Sequence, residues 1–155
     1  MKNTKKTESL WSRHLLGKRY SGRDLQDFFA SLPKGIYCLD GPSLCGKTAL
    51  LRRLEAESGR AVSRVNYEFV PEYLLRNYLP GYEDAEAKTE CEIFIVEDID
   101  LLAGKESTLE GGADLFNHLA ATRTVILSGI DLRRRVPQLV VRLNSPTFFR
   151  FRKKI

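Results

Sequence analysis

The chain has 155 residues, 43% of them hydrophobic and 29% charged, which is enough for one domain with a real core and too little for two ordinary ones. No run of about 18 apolar residues occurs, and the start MKNTKKTESLWS lacks the apolar stretch of a secretory signal, so nothing directs the chain into or across a membrane and a cytoplasmic location is expected. The net charge of +5 is uneven: 8 Lys/Arg against 3 Asp/Glu in residues 1–34, 9 against 17 in 35–132, and 8 against none in 133–155.

Both ends are therefore basic and the middle acidic. Runs such as Arg133-Arg134-Arg135 and Arg150-Phe151-Arg152-Lys153-Lys154 suit a phosphate backbone, and equally a solvated face or an acidic protein partner. Cys38, Cys45 and Cys91 are odd in number and lack CxxC spacing, and the only histidines are His14 and His118. This excludes a disulfide framework and a zinc site as leading readings. His118 is expected to be a half-buried structural residue of a helix.

In chain order, residues 1–12 are polar and basic and form a flexible segment, and residues 13–155 are expected to make a single domain. Leu25, Phe28, Phe29 and Leu32 recur at helical spacing over Arg23 to Leu32, where Pro33 stops the helix. Ile36 to Asp40 is a continuous apolar run and reads as a buried strand. A helix follows and ends near Gly59. Ala61 to Tyr67 alternates weakly as a second strand, and PEYLLRNYL (71–79) reads as a helix opening on proline.

An acidic linker over Gly81 to Glu92 leads to Ile93-Phe94-Ile95-Val96, the clearest buried strand, which ends in Glu97-Asp98. A helix is expected over Leu109 to Ala121, its first turn weakened by Gly111-Gly112 at about 1 kcal/mol per glycine relative to alanine. Thr124 to Ser128 reads as a fourth strand, Pro137 to Leu143 as one short helix and Thr147 to Arg152 (TFFRFR) as a fifth strand. Strands separated by helical segments imply an α/β fold with a parallel sheet and right-handed crossovers.

The turn between the first strand and its helix carries chemistry. Gly41-Pro42-Ser43-Leu44-Cys45-Gly46-Lys47-Thr48 satisfies every fixed position of the Gly-x-x-x-x-Gly-Lys-Ser/Thr loop, between a strand and a helix. A triphosphate needs many inward N–H donors and a cation. The turns at Gly41 and Gly46, the helix N-terminus and the Lys47 ammonium supply them, and Thr48 offers a hydroxyl to Mg²⁺. Cys45 is read as a small neutral spacer, since no histidine lies near it in sequence. About fifty positions on, Glu97 and Asp98 fit the two acids such a site uses, one to hold hydrated Mg²⁺ and one to orient water. Ser128 ends the next strand, where it would face the γ-phosphate or be an ordinary strand-end serine.

The runs IFIVEDIDLLAGKEST, LFNHL, TVILSG and VPQLVVRL together resemble the nucleotide-binding domain of the DnaA-like family of AAA+ ATPases, over about residues 35–150. The resemblance implies a three-layer P-loop NTPase fold, a five-stranded parallel sheet in the order 5-1-4-3-2, ATP and Mg²⁺ as ligands, and ATP-dependent assembly on DNA or replication proteins. It makes Glu97 the Mg²⁺-associated acid, one methylene longer than the family's aspartate, and Asp98 the water-orienting acid. It also sets Ile130 where the family has an aspartate near the fourth-strand end, with Asp131 adjacent, and Tyr20 where an aromatic can stack on adenine or simply pack.

Arg142 keeps the first arginine of the family's arginine-bearing motif, but Pro146 stands where the trans-acting arginine finger belongs. Proline supplies no cation to a neighbour's ATP, so active ring or filament assembly is not expected. The chain ends at Ile155, before the family's helical lid and duplex-DNA-binding domain, so sequence-specific origin binding is not carried over. Pro71 to Glu92 stands where initiators carry single-strand-binding helices, yet holds only Arg76 and Lys88 among more numerous acids.

Three functions fit these residues. The first is an ATP-binding, replication-associated regulator, at most a weak ATPase, because a lidless site admits water. The second is a non-catalytic adaptor with a decayed nucleotide site, and the third a small P-loop phosphotransferase, for which no lid arginines are visible.

Overall fold

The computed structural model describes residues 31–42, 46–76 and 84–150. The apolar runs become the centre of one sheet. Strands β1 (Gly35–Asp40), β3 (Ile93–Glu97) and β4 (Thr124–Gly129) are buried along almost their whole length, while β2 (Val62–Asn66) and β5 (Thr147–Arg150) are the half-exposed edges. The order is β2-β3-β4-β1-β5 with every pair parallel, which is the expected 5-1-4-3-2 order counted from the opposite edge. Ile36 pairs with Val125, Val96 with Leu127, and Leu39 with Phe149.

Strands covered on both faces need helices on both faces. Alternation sends Ile36, Cys38, Phe94, Val96, Val125 and Leu127 to one side, where they meet Phe69 and Val70 of α2 (Phe69–Arg76), Leu109, Ala113 and Phe116 of α4 (Glu106–Ala120), and Leu139 of α6 (Pro137–Arg142). Tyr37, Leu39, Ile93, Ile95 and Ile126 point to the other side and pack on Leu50, Leu51 and Leu54 of α1 (Lys47–Glu57). The result is three layers, with α1 alone among these helices on the second face.

At the amino ends of the strands, Arg60 ties several segments together. Its guanidinium donates to the Leu32 carbonyl (2.9 Å), to the Glu92 carboxylate (3.2 Å) and to Thr124 Oγ1 (3.5 Å). Thr124 Oγ1 in turn donates toward the carbonyls of Pro33 (3.0 Å) and Leu32 (3.2 Å), and Arg123 Nε donates to the Cys91 carbonyl (3.0 Å).

Several elements differ from the sequence reading. The acidic stretch 81–92 is not all linker, since Asp84–Thr89 forms a short helix, α3. The helix expected to open on Pro71 opens at Phe69, which puts the proline inside the first turn, where no N–H is needed. The helix expected from Leu109 starts at Glu106, so Gly111 and Gly112 lie beyond its first turn, under α2. A Cβ on Gly111 would stand 2.8 Å from Leu74 Cδ1, and one on Gly112 would stand 3.2 Å from Val70 Cγ1. The glycines let the two helices meet. Two short turns went unread: a 3₁₀ turn at Ile99–Leu102 and helix α5 at Leu132–Arg135. The helix expected over Arg23 to Leu32 lies almost entirely outside the described residues, as do Tyr20, Ser43, Leu44, Cys45 and the end of TFFRFR beyond Arg150.

Candidate functional site

In a parallel sheet every carboxyl end opens on the same edge, and ligands of open α/β sheets sit there. β1, β3 and β4 end at that edge in Asp40, Glu97 and Gly129. Between β1 and α1, Gly46 adopts φ 99°, ψ 5°, a left-handed conformation that side chains avoid, and among the described residues nothing lies within 4 Å of where its Cβ would be. The next residue, Lys47, turns its ammonium back over the loop and donates to the carbonyls of Gly41 and Pro42, the latter at 3.1 Å. Thr48 follows, exposed at the head of α1. The backbone N–H of Gly41 donates to the Gly129 carbonyl (3.2 Å), which fixes the loop's entry to the end of β4.

Asp98 leaves β3 in a left-handed turn, φ 60°, ψ 37°, and opens the 3₁₀ turn. Such a backbone costs about 1 kcal/mol or more for a residue with a side chain. Asp98 is largely exposed, yet the protein atoms about its carboxyl raise its pKa above the usual carboxylate value by desolvation, with Glu97 and Asp100 adding repulsion and the Lys47 ammonium pulling back. The Lys47 charge thus acts on Asp98, which brings the loop and the end of β3 into one field.

Glu97 has a partner. Its Oε2 accepts a 2.7 Å bond from Nη1 of Arg64 on β2, while Arg64 Nε donates to Glu55 Oε2 on α1, also at 2.7 Å. Ser128 is buried next to the end of β4, on the sheet face that Ile126 turns toward α1. Asp131, the residue that caps α5, adopts φ 51° and pairs with Arg134 Nε of that helix at 2.7 Å. Asp100 is buried and accepts from Arg135 (3.4 Å), and Asp40 accepts from the Leu132 N–H (3.3 Å).

Arg142 is exposed and pairs with Glu110 on α4 at 3.3 Å. Asn117 holds the turn that follows it, donating to the Arg142 carbonyl and accepting from the Asn144 N–H, both at 2.8 Å. Pro146 lies between that turn and β5. His118, expected half-buried, is exposed in the last turn of α4. Burial and the nearby Asp40 push the Cys38 thiol up to about 12, so it is a packing residue without nucleophilic character at neutral pH.

Neither a protein-family model nor a curated protein sequence matches the chain. Solved structures do. A replication initiator DnaA bound to AMPPCP and single-stranded DNA superposes with a TM-score of 0.65 at 19% identity, covering 86% of this chain and 44% of that one. Domain III of the Thermotoga maritima replication initiation protein DnaA gives 0.66 at 15% identity, over 84% and 60%. AMPPCP-bound DnaA from Aquifex aeolicus gives 0.63 at 18% identity, over 84% and 44%. The chain shares the fold of these DnaA structures.

This chain spans from 44% to 60% of the length of those DnaA structures. On this fold, Lys47 and Thr48 at the head of α1 and Glu97 and Asp98 at the end of β3 lie at one edge of the sheet. The residues that sequence reading missed are Arg64, Glu55 and the Asp100–Arg135 pair. Arg64 lies on an edge strand with no motif around it, and its partners are 9 and 33 positions away. Among the described residues no helix is long and apolar enough to cross a membrane.

Proposed function

We propose that this chain is an ATP-binding, DnaA-like regulator that engages replication proteins or DNA according to the nucleotide it holds, and that it hydrolyses ATP slowly at most. The observation that carries the reading is the Lys47 ammonium. It sits at the head of α1 and, among the described residues, donates to two carbonyls of its own loop, in a position where phosphate oxygens would offer stronger, charge-assisted partners. The first turn of α1 adds backbone N–H donors that a helix leaves without intrahelical partners, and Gly46 brings no side chain into the approach of a phosphate. Solved neighbours of the same fold hold AMPPCP, and one also holds single-stranded DNA.

Slow turnover is favoured by how the charges pair. Arg142 answers Glu110, Asp131 answers Arg134, and Pro146 offers no cation to a neighbouring site. Among the described residues, Asp98 is the candidate to orient water. Bound Mg²⁺ would neutralise phosphate charge; of its expected ligands, Thr48 is exposed at the loop, whereas Glu97 is already engaged by Arg64.

The test is thermal denaturation of the wild type and Lys47→Ala with and without ATP. Protection of the wild type alone is expected, and equal shifts in both would overturn the reading. The same engaged charges also suit a non-catalytic adaptor that binds no nucleotide. Calorimetry separates the two, since an absence of heat at millimolar ATP favours the adaptor.

A further inference from the structure

We propose that Arg64 fills the charge position that a divalent cation would take beside Glu97, so that this chain binds nucleotide without needing Mg²⁺. The inference rests on the nucleotide reading above and concerns how that pocket balances its charge. Arg64 belongs to β2, two residues after Val62, which packs into the cluster under α1; the pleat therefore turns Arg64 to the α1 face. Glu97 reaches the same face, four residues after Ile93. The guanidinium spans the gap between sheet and helix, with Nη1 on Glu97 and Nε on Glu55, both at the short length of charge-assisted bonds.

Three properties make this fork hard to displace. A guanidinium stays charged at any physiological pH, so no proton loss frees Glu97. The Glu97 and Arg64 side chains are only 15% and 28% exposed, so breaking the pair leaves a shielded charge alone. Glu55 lies seven residues after Thr48, two turns along the same face of α1 and roughly 10 Å down its axis. The fork thus draws Glu97 toward the middle of the helix, away from the end where Thr48 stands.

Mg²⁺ demands near-octahedral geometry and gives up its waters reluctantly. With the Arg64 pair closed, the residues present do not fit that ion, because the one expected carboxylate ligand is tied elsewhere. The consequence for a phosphate chain is favourable. A bare Glu97 would repel phosphate unless a metal stood between them, and a paired one does not.

The experiment titrates a fluorescent methylanthraniloyl-ATP into the whole chain, in excess Mg²⁺ and in excess EDTA. The wild-type affinity is expected to differ by less than about threefold between the two. In Arg64→Met, which keeps an unbranched apolar stem, EDTA weakens binding and Mg²⁺ restores it by about tenfold or more. Arg64→Lys, the substitute should that variant fail to fold, moves the same way, because a point charge cannot hold both carboxylates. Mn²⁺ alone, followed by electron paramagnetic resonance, stays free with the wild type, binds to Arg64→Met and is lost again when Glu97→Gln is added. Wild-type binding that collapses in EDTA, or an Arg64→Met response to Mg²⁺ equal to the wild type's, overturns the inference while the nucleotide reading stands. Absence of binding in both conditions overturns the two together.

Discussion

Asp98 concentrates the cost of the site in one side chain. Its folded pKa is raised, so between the ordinary carboxylate value and the raised one the native state binds more protons than the unfolded chain. Stability therefore falls as pH rises through that window, and above it the full penalty remains. Asn tolerates the left-handed backbone and carries no charge. Asp98→Asn is expected to melt at a higher temperature than the wild type at neutral pH, with the gap closing as the pH drops below the ordinary carboxylate range. Melting curves that coincide at every pH would show the carboxyl to be unstrained. The acidic pair at 97–98 was legible in the sequence because two acids follow an apolar strand. That Glu97 is bound to a guanidinium was not, since the bond depends on the register of β2 against β3, where Asn66 lies beside Glu97.

At the scale of elements, the ends of the strands are held by close approaches that leave no room for side chains. A Cβ on Gly129 would stand 2.6 Å from both Asp100 Oδ1 and Leu132 Cδ2, and 3.2 Å from the Asp100 backbone nitrogen. Gly129→Ala must push the 3₁₀ turn from α5, and overpacking of this kind costs about 1–3 kcal/mol. Urea denaturation is expected to show that loss together with weaker ATP protection, because Gly129 also anchors Gly41. Gly112→Leu is expected to cost a similar amount by prising α2 from α4, with no change in ATP protection. A sequence reader sees Gly111-Gly112 only as weak helix formers. What they do is visible once α2 lies over them, and that packing is set by Val70 and Leu74, about forty positions earlier.

For the whole molecule, the central strands and the helix that follows the loop were legible, because buried parallel strands announce themselves as unbroken apolar runs and the loop motif dictates what precedes and follows it; the strand order came from the resemblance to the DnaA-like family, since no apolar run says which strand lies beside it. The short turns at 99–102 and 132–135 were not, being too short to carry a period. A ligand that binds only the folded chain, at a hundred times its dissociation constant, adds about 2.7 kcal/mol. For a chain of this size that raises the melting temperature by roughly 5–10 °C, the shift expected for ATP on the wild type and lost in Lys47→Ala. The lattice that Arg60 makes with Leu32, Glu92 and Thr124 lies at the opposite end of the strands from Lys47 and Asp98. The end that this lattice ties together is thus not the end where the loop and the acids of β3 stand. The acids and arginines of the carboxyl edge can therefore be changed one by one without touching the contacts that tie the amino ends of the strands together.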